Sequence, residues 1–162
     1  MSTVAVTRQI DAPATRVWRV FTDLPARAGW LSTVYTVEVL TPGPFGVGTG
    51  WRETRLMPDG TPIVEDFYVE RAIPPERFTV SSPGIGANYR MTYTFTPLDV
   101  GRHRGRTLVT VVQENAPTGP YGRLLILVFG SLAARTVEAA LRQDLADLAT
   151  AAAAAGDPAA AA

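Results

Sequence analysis

The segment over residues 120–148 constrains the fold more than any other part of the chain, because it reads as one long helix. In its C-terminal half, apolar residues recur at the spacing i, i+4, i+8 and i+11, at Val137, Leu141, Leu145 and Leu148. Charged residues occupy half of the positions between them. This spacing predicts an amphipathic helix that buries one face.

The N-terminal half of the same segment has a different pattern. Residues 124–134 carry no charged side chain, and a helix that is apolar all round must be covered on more than one side. As a helix this run is about 16 Å long, roughly half of what a bilayer core requires, so we expect no transmembrane segment. The cover is therefore protein, or protein together with an apolar ligand.

The length of 162 residues is that of a single domain with one core. We expect this domain to extend over residues 1–150. The Ala-rich residues 151–162, which a Gly-Asp-Pro sequence interrupts, are expected to fray from the helix end and to add nothing to the core.

Charge and residue usage exclude several classes of function. Fifteen Arg, with no Lys, balance fifteen Asp and Glu, so the broad basic surface of a nucleic-acid or anionic-membrane binder is missing. The absence of Cys and the presence of a single His exclude disulfides, thiol catalysis and Cys-rich or multi-His zinc sites. An all-carboxylate metal site remains formally possible, but no stretch has its spacing, and we expect neither a metal nor a cofactor. No export signal precedes the first strand, so a cytoplasmic location is expected.

The order of elements indicates an α+β fold. Residues 3–10 alternate as a strand, two short helices follow over residues 13–31, and about six strands fill residues 34–115. Asp59-Gly60 is a strong hairpin signal. Because no strand–helix unit repeats, we predict an antiparallel meander with one face to cover, and the terminal helix is long enough to cover it. The side of that helix expected to face the concave sheet carries Leu125, Phe129, Leu132 and Val137.

Four stretches, taken in this order, resemble a known family. They are residues 4–18 (VAVTRQIDAP, then VW), residues 46–52 (GVGTGWR), residues 69–78 (VERAIPPERF) and residues 119–148. Together they resemble the START-like helix-grip (SRPBCC) superfamily, in particular its polyketide cyclase/dehydrase and lipid-transport branch. The resemblance implies a curved antiparallel sheet of six or seven strands wrapped on a long C-terminal helix, with two short helices after the first strand. It also implies a cavity between sheet and helix for a hydrophobic or amphipathic small molecule, and it implies no particular reaction.

Three functions are compatible with that cavity. The protein is a carrier or sensor that binds a lipid-like or polyketide-like molecule, an aromatase/cyclase-type enzyme that acts on a polyketide, or a chaperone-activator-like interaction protein. The interaction protein is the least favoured of the three, because it would not need so long an apolar part of the helix. An enzyme needs at least one positioned acid or base in the cavity, whereas a carrier needs only an apolar wall and one anchoring group.

Strand alternation and the helix stripe predict which residues line the cavity. The large apolar groups that they place on one face are Trp51, Met57, Phe67, Met91, Tyr93 and Phe95 of the strands with Leu125 and Phe129 of the helix. Strand tyrosines either present a hydroxyl to a ligand or simply cover the sheet, and both readings stay open for Tyr68, Tyr89, Tyr93 and Tyr121.

A polar anchor is predicted from the hairpin around Asp59-Gly60. Counting favourable cross-strand pairs favours a register in which Arg55 faces Glu65 and Trp51 faces Val69. This register puts Arg55 and Glu65 on the cavity side as an ion pair. The alternative is that the face is reversed and the pair is an exposed salt bridge worth roughly 0–1 kcal/mol.

Overall fold

The computed structural model describes residues 2–56, 59–84 and 87–156, and it describes their side chains except at positions 87 and 120–133. The elements in chain order are β1 (Ser2–Ile10), α1 (Ala14–Thr22), α2 (Arg27–Trp30), β2 (Val34–Val39), β3 (Gly50–Leu56), β4 (Pro62–Ile73), β5 (Arg77–Pro83), β6 (Ala87–Leu98), β7 (Arg106–Pro117) and α3 (Gly119–Ala154).

The seven strands form one curved antiparallel sheet in the order β1-β7-β6-β5-β4-β3-β2. Each strand from β2 to β6 pairs with the next strand in sequence, and β1 lies at one edge of the sheet, where it pairs with β7. The predicted α+β helix-grip architecture is therefore confirmed, including the two short helices after β1 and the long C-terminal helix.

The core lies between the sheet and the helices α1 and α3. From α1 it takes Val17 and Phe21, and from α3 it takes Leu141, Leu145 and Leu148, all of them buried. Burying one such Leu side chain contributes roughly 1.5–3 kcal/mol, so the C-terminal half of α3 holds the helix to the sheet. The predicted amphipathic stripe is thus the buried face of this half.

The residues predicted to line the N-terminal half of α3 fall in the part of the helix whose side chains are not described. Leu125, Phe129 and Leu132 lie outside the side chains that the structure describes. In the described ranges, no helix is both long and apolar enough to cross a membrane.

The C-terminal end of α3 differs from the expectation. The helix continues to Ala154, so residues 151–154 belong to it, and Ala152 is completely buried in the core. The prediction was wrong here because an Ala-rich run has the composition of a solvated tail. The small Ala side chain nevertheless fits where a helix packs closely against its neighbours. Residues 157–162 lie outside the described ranges.

The register of the β3–β4 hairpin was predicted wrongly. Arg55 lies opposite Ile63 rather than Glu65, and Trp51 lies opposite Phe67 rather than Val69, a shift of two residues. Because side chains alternate with period two, a shift of two leaves every residue on its predicted face. The faces were therefore right although the partners were not.

Two contacts on opposite faces of the hairpin favour the observed register. On the cavity face, the rings of Trp51 and Phe67 stack with centroids 5.3 Å apart. On the other face, Arg52 donates two hydrogen bonds to Asp66, at 2.7 and 2.9 Å. The prediction compared registers that differ by one residue, and the observed one differs by two. It sets Glu53 against Glu65, a like-charge pair that the guanidinium of Arg27 from α2 makes tolerable.

Candidate functional site

A cavity of about 190 Å³ lies between the concave face of the sheet and the C-terminal half of α3. Its apolar wall comes from β3 to β6, from α1 and from α3, and consists of Phe21, Trp51, Phe67, Phe78, Val80, Met91, Tyr93, Val137, Ala140 and Leu141. Its polar side chains are Arg27, Arg55, Glu65, Tyr89, Gln113 and Asp144.

Most of the predicted site residues lie on this cavity. Its lining includes Trp51, Arg55, Glu65, Phe67, Met91 and Tyr93. Leu125, Phe129 and Met57 lie outside the side chains that the structure describes.

Phe95 is absent from the described lining of the cavity, contrary to the prediction. It is packed in the core, with ring centroids 5.5 Å from Trp18 and 6.1 Å from Phe21. It shares the face of Met91 and Tyr93, but it lies further along β6, where α1 covers the sheet. Alternation predicts the face of a residue, whereas the element that covers each end of the strand decides between core and cavity.

The polar end of the cavity is organised around Glu53, which is completely buried on β3. Its Oε1 accepts hydrogen bonds from Arg27 Nε at 2.6 Å and from Trp51 Nε1 at 2.9 Å. Its Oε2 accepts one from Arg55 Nη2 at 3.0 Å. Burial alone would raise the pKa of Glu53, but the two guanidinium groups and these hydrogen bonds outweigh it and hold the pKa at about 2.

Arg55 also joins the sheet to α3. Its Nη2 and Nη1 donate to the two carboxylate oxygens of Asp144, at 3.0 and 3.2 Å. The Thr33 hydroxyl donates to Asp144 Oδ1 at 2.7 Å and accepts from Arg55 Nη1 at 2.7 Å. The predicted Arg55–Glu65 ion pair is therefore wrong, because Arg55 bonds Glu53 and Asp144 instead.

Glu65 lies on the cavity lining. Among the residues that the structure describes, none gives it a hydrogen bond or an ion pair. Burial raises its pKa, and the negative charges of Glu53 and Asp144 add to the rise against the attraction of Arg55. The carboxyl group of Glu65 therefore holds a proton more tightly than an ordinary glutamate does.

Two tyrosines, Tyr89 and Tyr93, lie on the cavity lining. Burial raises the pKa of Tyr93, and burial together with the charge of Glu65 raises the pKa of Tyr89. The Tyr93 hydroxyl makes only a weak contact with Met91 Sδ, at 3.7 Å. Both hydroxyls can therefore offer a hydrogen bond to a ligand at neutral pH.

Sequence reasoning missed Arg27 and Asp144. Arg27 lies in a helix of four residues, and Asp144 lies on the polar side of an amphipathic helix, where a charge is ordinarily solvated. Glu53 carried a usable signal, because it alternates in phase with Trp51 and Arg55 on β3. In the described ranges, no three His, Asp or Glu side chains are grouped closely enough to hold a metal ion.

Solved structures share this fold. The structure of TTHA0849 from Thermus thermophilus superposes with a TM-score of 0.76 at 23% identity, over 96% of this chain and 100% of that one. The ZhuI aromatase/cyclase from Streptomyces sp. R1128 gives 0.73 at 15% identity, over 98% and 97%. One of these similar structures is an aromatase/cyclase, and at such identities the likeness establishes the fold alone.

A larger protein contains the same fold as one part. The di-domain aromatase/cyclase StfQ from the steffimycin biosynthetic pathway superposes with a TM-score of 0.72 at 14% identity, over 93% of this chain and 51% of that one. Among curated protein sequences, none matches the chain significantly.

Family membership follows from a match over almost the whole chain. The profile of the family described as "Polyketide cyclase / dehydrase and lipid transport" matches residues 1–153. The matched residues include all seven strands and nearly all of α3. The chain therefore belongs to the polyketide cyclase/dehydrase and lipid-transport family.

Proposed function

We propose that this protein binds a hydrophobic or amphipathic small molecule in the cavity between the sheet and α3. The observation that carries the proposal is the arrangement of the cavity, in which an aromatic wall meets a compact group of polar side chains. Ligand pockets typically combine a largely apolar lining with a few fixed polar groups that orient the ligand. The aromatic wall is itself fixed by stacking, as in the pair of Trp51 and Phe67.

The cavity volume suggests the size of the ligand. At about 190 Å³ it exceeds an apolar protein cavity of about 150 Å³ that takes up benzene. It is smaller than the roughly 300–1,000 Å³ of pockets for drug-sized molecules. A fused two-ring aromatic molecule, or one end of a longer chain, therefore fits this space better than a complete large ligand.

Binding of a neutral fluorescent naphthalene ketone, 6-propionyl-2-dimethylaminonaphthalene, tests the proposal. We expect saturable binding that hydrophobic competitors displace. Ala140 and Ala139 are neighbouring exposed residues of α3, and of the two only Ala140 is on the described lining. Ala140→Phe should fill the cavity and abolish binding, whereas Ala139→Phe should leave it unchanged. Equal binding by the two variants, or no saturable binding to the parent protein, would contradict the proposal.

A second candidate function is an aromatase/cyclase-type enzyme. The observation that favours it is Glu65, a carboxyl group with a raised pKa that faces the cavity. Aldol closure and dehydration of a polyketide need a positioned acid or base of this kind. The variant Glu65→Gln should then still bind the naphthalene probe but no longer close the ring of a linear poly-β-ketone. Mass spectrometry measures ring closure, because the cyclised and dehydrated product is lighter than the substrate by one water. If Glu65→Gln closes the ring as fast as the parent protein, Glu65 is not the catalytic acid or base.

A further inference from the structure

Glu65 is a carboxyl group of the cavity for which the described residues provide no bonded counter-ion. It lies on the cavity lining and is half-buried, so part of its side chain remains accessible. Burial raises its pKa, Arg55 opposes the rise, and the charges of Glu53 and Asp144 add to it. An ionised Glu65 therefore lacks a positive partner, and a partly buried charge is costly without one.

The two arginines of the cavity are already matched by other carboxylates. Arg27 Nε donates to Glu53 Oε1 at 2.6 Å. Arg55 Nη2 donates to Glu53 Oε2 and to Asp144 Oδ2, each at 3.0 Å. Two positive charges therefore meet two negative charges before Glu65 is counted. When Glu65 is ionised, this group has an excess of negative charge, which a cationic ligand would balance and an anionic ligand would increase.

Aromatic rings stand close to Glu65. Phe67 follows it by two positions on β4, so the two side chains share the cavity face. The Phe67 ring stacks on Trp51 with centroids 5.3 Å apart. Burial and the charge of Glu65 together raise the pKa of Tyr89 on β6, so this ring also lies near the carboxyl group. Aromatic faces attract cations, most strongly where water is excluded, and a carboxylate beside such rings suits an organic ammonium group.

We propose that the cavity binds an apolar ligand that carries a positively charged amine, with Glu65 as the counter-ion of that amine. The inference rests on the proposed function, because it assigns the chemistry of a ligand bound in the same cavity. The ammonium group lies between the Glu65 carboxylate and the rings of Phe67 and Tyr89. The apolar body of the ligand packs on Trp51 and Phe67. A carboxylate of the same shape is selected against by the excess of negative charge.

Three ligands that share the naphthalene ring system test this selection. They are 2-(aminomethyl)naphthalene, which is protonated near neutral pH, 2-ethylnaphthalene, in which a methyl group replaces the ammonium group, and 2-naphthoate. Their affinities are measured near neutral pH by displacement of the neutral fluorescent ketone. The ammonium ligand is expected to bind about ten-fold more tightly than the hydrocarbon, and the carboxylate is expected to bind most weakly.

A pair of variants on β4 assigns the selection to Glu65. Glu65→Gln should remove the preference for the ammonium ligand over the hydrocarbon, because the amide carries no charge. Glu70→Gln is the matched control, since Glu70 lies on the same strand outside the described lining and pairs with Arg90 at 2.9 Å. This control should keep the preference. A preference that survives in Glu65→Gln, or that both variants lose equally, would overturn the role of Glu65.

The pH dependence of binding to the parent protein provides a second test. The charged and titratable groups around Glu65 are Glu53 and Arg55 of β3, Arg27 of α2, Tyr89 of β6 and Asp144 of α3. Between about pH 5 and about pH 8, Glu53 stays ionised, the arginines stay charged and Tyr89 stays neutral, while Asp144 is held in an ion pair by Arg55. The affinity for the ammonium ligand should therefore rise with pH as Glu65 ionises, and the affinity for the hydrocarbon should stay level.

The outcomes separate this inference from the proposed function. An ammonium affinity that is independent of pH, one no higher than that of the hydrocarbon, or tightest binding of the carboxylate would overturn the inference and leave the proposed function standing. The fluorescent ketone is neutral, so its binding does not depend on the charge of Glu65. Failure of this probe to bind saturably would overturn the proposed function itself.

Discussion

Glu53 and Glu65 lie directly opposite each other on β3 and β4, on the face of the sheet that lines the cavity. Glu53 accepts hydrogen bonds from two arginines and a tryptophan, whereas Glu65 has no bonded partner among the described residues. The environment therefore lowers the pKa of one carboxyl group and raises that of its neighbour. The two residues should respond to mutation and to pH in opposite directions.

Glu53→Gln should destabilise the protein strongly. Removing one member of a buried ion pair leaves its partner uncompensated, and Glu53 bonds both Arg27 and Arg55, so we expect a loss of about 3–5 kcal/mol in the free energy of unfolding. Urea unfolding measures it. The control is Asp66→Asn, which breaks an exposed pair with Arg52 and should lose no more than about 1 kcal/mol. Equal losses in the two variants would argue against a buried network.

Acid should weaken the protein through the same residue. The pKa of Glu53 falls from an ordinary value of 4.5 to about 2 in the folded state, so the unfolded chain binds the proton more tightly. The associated stability is fully present above about pH 5 and is lost as the pH falls through 4.5 toward 2, and it amounts to about 3 kcal/mol. We expect the difference in stability between the parent protein and Glu53→Gln to shrink over this range. A difference that stays constant with pH would contradict the lowered pKa.

Glu65→Gln should stabilise the protein at neutral pH. The raised pKa of Glu65 means that the folded state holds the proton more tightly, so the free energy of unfolding falls as the pH rises through the unfolded and then the folded pKa. Replacing the carboxylate with an amide removes this loss. The urea midpoint of the variant should exceed that of the parent protein at pH 7 and approach it at pH 4. A lower midpoint at pH 7 would mean that the charge of Glu65 is stabilised in the fold.

The end of α3 should divide into a part that the fold needs and a part that it does not. Deleting residues 157–162 should leave the melting temperature unchanged, as expected for a terminal Ala-rich segment. Deleting residues 151–162 should lower it clearly, because Ala152 is completely buried against the core. Thermal unfolding of the two truncated proteins provides the comparison, and each serves as the control for the other. An unchanged melting temperature after the longer deletion would show that the core does not need Ala152.

The elements of the fold could be predicted from the sequence because they depend on patterns among residues close together in the chain. The spacing of Leu141, Leu145 and Leu148 predicted the buried face of α3, and the alternation along β3 predicted that Trp51 and Arg55 share the cavity face. Both patterns depend only on the period of a helix or a strand, which the chain geometry imposes on neighbouring residues. Even a wrong hairpin register preserved these faces, since it differed by two residues.

The partners of the charged residues could not be predicted from periodicity. Arg27 reaches Glu53 across 26 positions of sequence, and Asp144 reaches Arg55 across 89. A like-charge pair such as Glu53 and Glu65 argues against the observed register until a guanidinium from α2 is brought next to it.

The sequence by itself determined which faces are apolar, that the sheet is antiparallel, and that the last helix covers it. Only the tertiary structure decided which charges meet, and that Glu65 and the buried Nη1 atom of Arg27 are left without a bonded partner among the described residues. The physical reason is that periodicity acts between neighbours in the chain, whereas Coulomb interactions and hydrogen bonds act between neighbours in space.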